Sequence, residues 1–264
     1  MEGISGQEPK PLFWAKESTI PMRSEPSESS EMINQLVFGD FCRLIEDRGN
    51  WIKIKHTYDG YEGWVDRKML ENIPNSTWDD TVEWRMAVFA AIQWEDGGIQ
   101  RLPTGAFIPI RQEADSLMLG VGAGKGKIVK GSNLLSQQVR PKLIEVSKLF
   151  MYTPYLWGGC SGFGIDCSGF MQRVFRACGL FIPRDSGAQA KEGETIEWQD
   201  RKEGDLIFLK KPNQSRITHV GLLRGDDMII HASGRVRVDQ LTEEGIYHSH
   251  HHKLSYHLVT IKRC

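Results

Sequence analysis

The sequence predicts an α+β protein in which two small all-β units precede a domain whose helices come before its strands. Three observations carry this reading. Short apolar runs broken by turn residues fill the first half of the chain. Apolar residues take up helical spacing only from about residue 136, and strand-like runs resume after residue 204. With 264 residues, 40% hydrophobic and 25% charged, the chain can bury one large core or several small ones. The predicted units are residues 1–72, 73–135 and 136–264.

In the first unit, Leu36–Asp40, Phe41–Ile45, Trp51–Ile54 and Gly63–Val65 read as strands, with turn material at Asp59-Gly60 and a polar loop over Pro26–Ser30. Trp51, Lys53 and Lys55 alternate with Ile52 and Ile54, giving one wet and one buried face. In the second unit, Val82, Met86, Phe89 and Ala90 share a helical face, which predicts a helix from Thr81 towards Trp94. Ala106–Ile110 and Ser116–Leu119 read as strands. Gly120, Gly122, Gly124 and Gly126 lack the spacing of a phosphate loop and read as a loop or hairpin. In the third unit, Val139, Leu143, Val146 and Phe150 predict a helix closed before Pro154. A second helix starts near Cys167, carries Phe170, Met171, Val174, Phe175 and Cys178 as its apolar stripe, and stops at Gly179. Strands follow over 205–209, 218–223, 228–233 and 256–261.

Composition removes several function classes. A net charge of −1 leaves no electrostatic footprint for nucleic acid. Acid exceeds base before residue 136 and base exceeds acid after it, which suits a C-terminal part that meets anionic ligands. Five cysteines in no CxxC pattern argue against a disulfide framework or a zinc site. The cluster His248, His250, His251 and His252 has no further ligand at metal spacing, so neither metal nor other cofactor is expected. His56 and His257 read as filler. No stretch reaches the roughly 18 apolar residues of a membrane span. The N-terminus shows no basic region followed by an apolar core, so the expected compartment is the cytoplasm, or the periplasm or exterior if a leader has been removed. A monomer is the default.

The chemistry concentrates around Cys167, which follows a Gly-rich loop and opens a helix. Unpaired N–H groups and the helix dipole favour a thiolate there, so a lowered thiol pKa is expected. A thiolate nucleophile needs a base and the base an orienting group. If Arg224–Asp226 forms a three-residue turn, His219 and His231 stand directly opposite each other, and His231 can fix the tautomer of His219. A two-residue turn would send them to opposite faces.

Several motifs resemble one known family. Pro154–Gly159, Asp166–Phe170, Gly204–Phe208, His219-Val220-Gly221 and Ile230-His231-Ala232 are similar, in order and over about 130 residues, to the NlpC-type cysteine peptidases. The resemblance implies a papain-like domain that hydrolyses cell-wall peptides, with Cys167 as nucleophile, His219 as base and His231 as orienting residue. Gly49–Ile54 and Gly60–Val65 resemble a bacterial SH3-like barrel, and residues 73–135 are expected to form a diverged second copy. Two such barrels before an NlpC-type domain resemble the YkfC-like γ-D-glutamyl-L-diamino-acid endopeptidases, or dipeptidyl-peptidase VI, which act on peptidoglycan-derived peptides with a free N-terminal L-Ala. That subgroup implies that Asp185 meets the substrate amine, helped by Tyr61 and a glutamate of the first barrel: Glu31, with Glu25 and Glu28 as alternatives. It also implies substrate contacts from Tyr155, Asp166, Ser168 and Ser186. The third substrate residue, diaminopimelate or lysine, stays open. The competing readings are a non-catalytic cell-wall-binding protein and an amidase or acyltransferase on the same fold.

Overall fold

The structure is a computed structural model that describes residues 11–73, 83–113, 116–119, 126–136, 142–248 and 253–264. Among the described residues three large antiparallel sheets follow one another along the chain, the helices sit against the third, and a two-stranded ribbon, Cys160–Ser161 with Gly164–Ile165, precedes Cys167.

The first sheet has seven strands between Leu12 and Ile73. Its hairpins form where the sequence alternates: in Trp51–His56, Ile52 and Ile54 are fully buried while Lys55 is exposed. Gly39 has φ +91°, and a side chain there would collide with the backbone carbonyl of Phe107. The residue therefore lets the first sheet meet the second.

The second sheet is built on the long strand Glu83–Trp94. This strand pairs with Phe107–Glu113 at its start and Gly126–Ile128 at its end. Those two are joined through Ser116–Leu119, so the pairings close a ring, as in a small barrel. The helix predicted from Thr81 is thus corrected to a strand. Trp84, Val88, Phe89, Ile92 and Trp94 are aromatic or β-branched and favour an extended chain. The burial also alternates: Ala90 and Ile92 point inward, Gln93 outward, and Phe89 is 68% exposed rather than on a core face. The glycine run 120–125 and Val139 lie outside the described residues.

The third sheet runs in the order Glu194–Ile196, Lys253–Arg263, Leu206–Lys210, His219–Gly225, Met228–Ser233, Arg235–Thr242, Gly245–His248, with the last strand also pairing with Lys253–Arg263. Three helices precede it: α1 (Leu143–Lys148), α2 (Cys167–Ala177) and α3 (Ser186–Gln189). The predicted stripe of α2 is buried, and Phe170, Met171, Val174 and Phe175 share one core with Val220, Leu222, Ile230 and Ala232. Gly179 stops the helix at φ +74°. Met86 and Phe107 of the second sheet enter the same core, while Val37 and Phe38 of the first pack with Ala87, Ile92 and Ile108 of the second. The second sheet is therefore fused by apolar burial to both neighbours.

The hairpin that carries the two histidines differs from the prediction. Its turn has two residues, Asp226 and Asp227, both at positive φ. A bulge between Leu223 and Gly225 adds one residue to the first strand. The two effects cancel in parity, so both histidines stay on one face, but His231 stands opposite Gly221 rather than His219.

Candidate active site

The start of α2 is held by Asp166. Its carboxylate accepts the N–H of Gly169 at 2.7 Å, the N–H of Gly158 at 3.0 Å and two guanidinium nitrogens of Arg184 at 3.0 and 2.6 Å. The hydroxyl of Ser168 accepts from Arg184 at 2.9 Å and donates to Asp166 at 3.3 Å. Both side chains, expected to contact substrate, also build the helix start through these bonds.

Cys167 is buried in the first turn. The backbone N–H groups of Val220 and Ser168 lie near enough to its sulfur to favour the thiolate. Val220 follows His219, so the sulfur lies against the strand that carries the imidazole. Burial, with the Asp166 carboxylate adding to it, pushes the thiol up to about 12. The N–H donors act in the expected direction but are outweighed, which overturns the lowered thiol pKa expected from the helix start.

His219 Nε2 lies 2.7 Å from His231 Nδ1, and His231 Nε2 lies 2.9 Å from the Asp239 carboxylate. The His219 ring stacks on Tyr256 with centroids 4.2 Å apart. Burial, then the fields of His231, Arg237 and Lys211, holds His219 well below its ordinary range. Burial thus disfavours charge on both groups, raising the thiol and lowering the imidazole. Tyr155 stands near enough that, after burial, Cys167 is the main cause raising its phenol.

The residues expected to meet a substrate amine gather at the boundary with the first sheet. Asp185 occupies the N-cap position of α3, yet its side chain caps nothing. The Tyr61 hydroxyl instead lies near enough to lower its pKa. Burial raises the Asp185 carboxyl, helped by Asp166 and Asp59 and opposed by Arg184 and Tyr61. Ser186 opens α3 beside it. Glu31 accepts the indole N–H of Trp157 at 2.7 Å, which ties it to the loop before Cys167. Glu28 instead faces Arg23 at 3.6 Å. Gly158 in the same loop has φ +74°, and a side chain there would strike the carbonyl of Met32, next to Glu31. Among the described residues no cluster of three or more His, Cys, Asp or Glu is placed to hold a metal ion; His250, His251 and His252 lie outside them.

The NlpC/P60 family model matches residues 152–255, and a model of the bacterial dipeptidyl-peptidase Sh3 domain matches residues 22–70. The gamma-D-glutamyl-L-lysine dipeptidyl-peptidase of Bacillus subtilis (strain 168) is 31% identical over 232 residues, spanning 83% of this chain and 78% of its own. The chain belongs to the NlpC/P60 family. It is a cysteine peptidase with an N-terminal SH3-type domain. The gamma-D-glutamyl-L-lysine dipeptidyl-peptidase of Bacillus cereus (strain ATCC 10987 / NRS 248) is 25% identical over 83% of this chain and 72% of its own. The crystal structure of an NlpC/P60 family protein from Bacillus cereus ATCC 10987 superposes with a TM-score of 0.79 at 22% identity, covering 96% of this chain and 99% of that one. That likeness shows the shared fold: a papain-like domain behind SH3-type β structure.

In this NlpC/P60 peptidase, sequence reasoning missed Asp239 and Arg184. Arg235–Thr242 looks polar enough for a loop. The alternation of Val236 and Val238 was the available signal, since a strand there puts Arg237 and Asp239 on the histidine face.

Proposed function

We propose that this peptidase hydrolyses the γ-D-glutamyl–L-diamino-acid bond of peptidoglycan-derived peptides whose L-Ala amine is free. The observation that carries this is Asp185: a solvent-accessible carboxyl at a helix N-cap that caps no N–H, with Tyr61 of the SH3-type domain close enough to lower its pKa. A free α-amine is a full cation, and burying it unpaired costs several kcal/mol, so its pocket needs such an acid. An acylated amine, as in a glycan-linked stem, would leave Asp185 without its partner.

In the mechanism, the Cys167 sulfur attacks the γ-carbonyl of D-Glu as its proton passes to His219. His219 Nε2 is committed to His231, so the proton goes to Nδ1. Backbone N–H groups at the start of α2 hold the oxyanion. His219 then gives the proton to the leaving diamino-acid nitrogen as the C–N bond breaks, and the γ-carboxyl carbon of D-Glu stays bound to sulfur as a thioester. Water, deprotonated by His219, hydrolyses that thioester and frees L-Ala-γ-D-Glu.

Mass spectrometry of digests of L-Ala-γ-D-Glu-L-Lys and its N-acetyl form tests the reading. Cleavage of the free tripeptide is expected to exceed that of the acetylated one by at least about tenfold, as loss of a charged hydrogen bond implies. The preference needs ionised Asp185 and a charged amine. It is expected to fade as pH rises past the amine pKa of about 8. It also fades as pH falls through the raised carboxyl pKa of Asp185. Equal cleavage at pH 7 would refute amine recognition.

A further inference from the structure

We infer that Asp239 is a fourth, positioning residue of the site, and that Arg237 opposes it, so that this pair sets the pH at which His219 can act as a base. The inference rests on the peptidase reading above but concerns the proton relay, not the substrate.

The geometry is a chain of three hydrogen-bonded groups. The Asp239 carboxylate can only accept, so at 2.9 Å it requires a proton on His231 Nε2. A neutral His231 then has Nδ1 as its acceptor. At 2.7 Å that acceptor requires a proton on His219 Nε2. The lone pair of His219 is left on Nδ1, where a thiol proton can be taken. One carboxylate thus selects two tautomers in series, and without it either tautomer of His231 is available.

Arg237 gives the arrangement a second control. It pairs with the same Asp239 oxygen at 2.8 Å and stands opposite His231 in the strand register. Asp239 stabilises an imidazolium through His231, whereas Arg237 disfavours one. The other groups around His219 are Lys211 after the preceding strand, Tyr256 stacked on the ring, and Cys167 of α2 with Asp166 and Arg184 behind it. Arg237 and Asp239 are the two opposite charges that meet on the far side of His231. Sequence neighbours do not explain the contact: Asp239 pairs across the strands with Ile229, and reaches His231 diagonally because both side chains lie on one face.

The test compares Asp239→Asn and Arg237→Gln with the parent enzyme on L-Ala-γ-D-Glu-L-Lys, across pH. Asp239→Asn is expected to lower kcat by about 10- to 100-fold, the usual loss on removing an orienting partner, and to move the acid limb of kcat/KM to lower pH. Arg237→Gln is expected to move the same limb to higher pH. Nitrogen-15 NMR of the imidazoles supplies a readout that needs no turnover: His231 carries its proton on Nε2 in the parent and becomes a tautomer mixture in Asp239→Ala. Melting curves establish that each variant is folded. A merely structural strut would change the melting temperature and leave both the limb and the tautomer where they were, and that result would overturn the inference. If the parent cleaves no γ-D-glutamyl peptide, the proposed substrate fails, while the NMR comparison still decides the role of Asp239.

Discussion

Cys167→Ala is expected to abolish peptide cleavage, with turnover falling on the order of 10⁶-fold, as removal of a nucleophile does elsewhere, and the circular dichroism spectrum unchanged. No neighbouring thiol can substitute. Cys160 is fully buried, its sulfur faces Asn34 at 3.0 Å, and burial raises its pKa. Residual activity near that of the parent would remove Cys167 from the mechanism. A companion measurement addresses the resting state. Burial lifts the thiol to about 12 and depresses His219, which favours the uncharged forms of both groups. Iodoacetamide labelling at pH 6 is then slow, and thiolate absorbance is missing at neutral pH. Rapid labelling at pH 6 would instead establish a preformed thiolate–imidazolium pair, with Cys167 still the nucleophile.

The sequence exposed the parts of this site that follow local rules. A cysteine after a Gly-rich loop and before an apolar stripe has little choice but to open a helix, and α2 does so from Cys167 to Ala177. The two histidines were legible as a pair on one hairpin. Their register was not, because it depends on a bulge at Arg224, and bulges leave no period in the sequence. The strand Glu83–Trp94 was misread because Met86, Phe89 and Ala90 fall three and four apart by coincidence, and the periodicity outvoted the aromatic and β-branched content. The thiol pKa was misjudged for another reason. The helix start is a local feature, but burial and the Asp166 charge come from packing, which no window of sequence contains. Asp239 was hidden in the same way, since its importance arises only when its strand lies beside that of His231.

Asp40→Ala is expected to destabilise the protein by about 3–5 kcal/mol, because breaking a buried ion cluster leaves its other charges unpaired; the melting temperature falls by roughly 10 °C. Asp40 of the first sheet is fully buried and binds two arginines of α2, Arg173 at 3.0 Å and Arg176 at 2.6 Å. His56 completes the cluster, with Nε2 3.6 Å from Asp40 and Nδ1 2.8 Å from Asp59. The filler role expected for His56 is therefore wrong. Burial alone would discharge both groups, but Arg173, Arg176 and His56 hold the Asp40 carboxyl well below 3.8, and Asp40 and Asp59 raise His56 above 6.5. The signs differ. The Asp40 contribution is present above pH 3.8 and is lost as pH falls through its depressed folded value. The His56 contribution is complete below pH 6.5 and is lost as pH rises through its raised value. Melting temperature is expected to decline above pH 6.5 in the parent, and Asp40→Ala is expected to flatten that decline. The cluster also reaches the amine site. Asp59 accepts the N–H of Tyr61 at 3.0 Å and the Gln172 amide of α2 at 2.9 Å, so the groups that dock the barrel also position the tyrosine facing Asp185. Asp40→Ala should accordingly raise KM for the free tripeptide more than for its acetylated form. An unaltered preference between the two, in a folded variant, would show that barrel docking and amine recognition are independent.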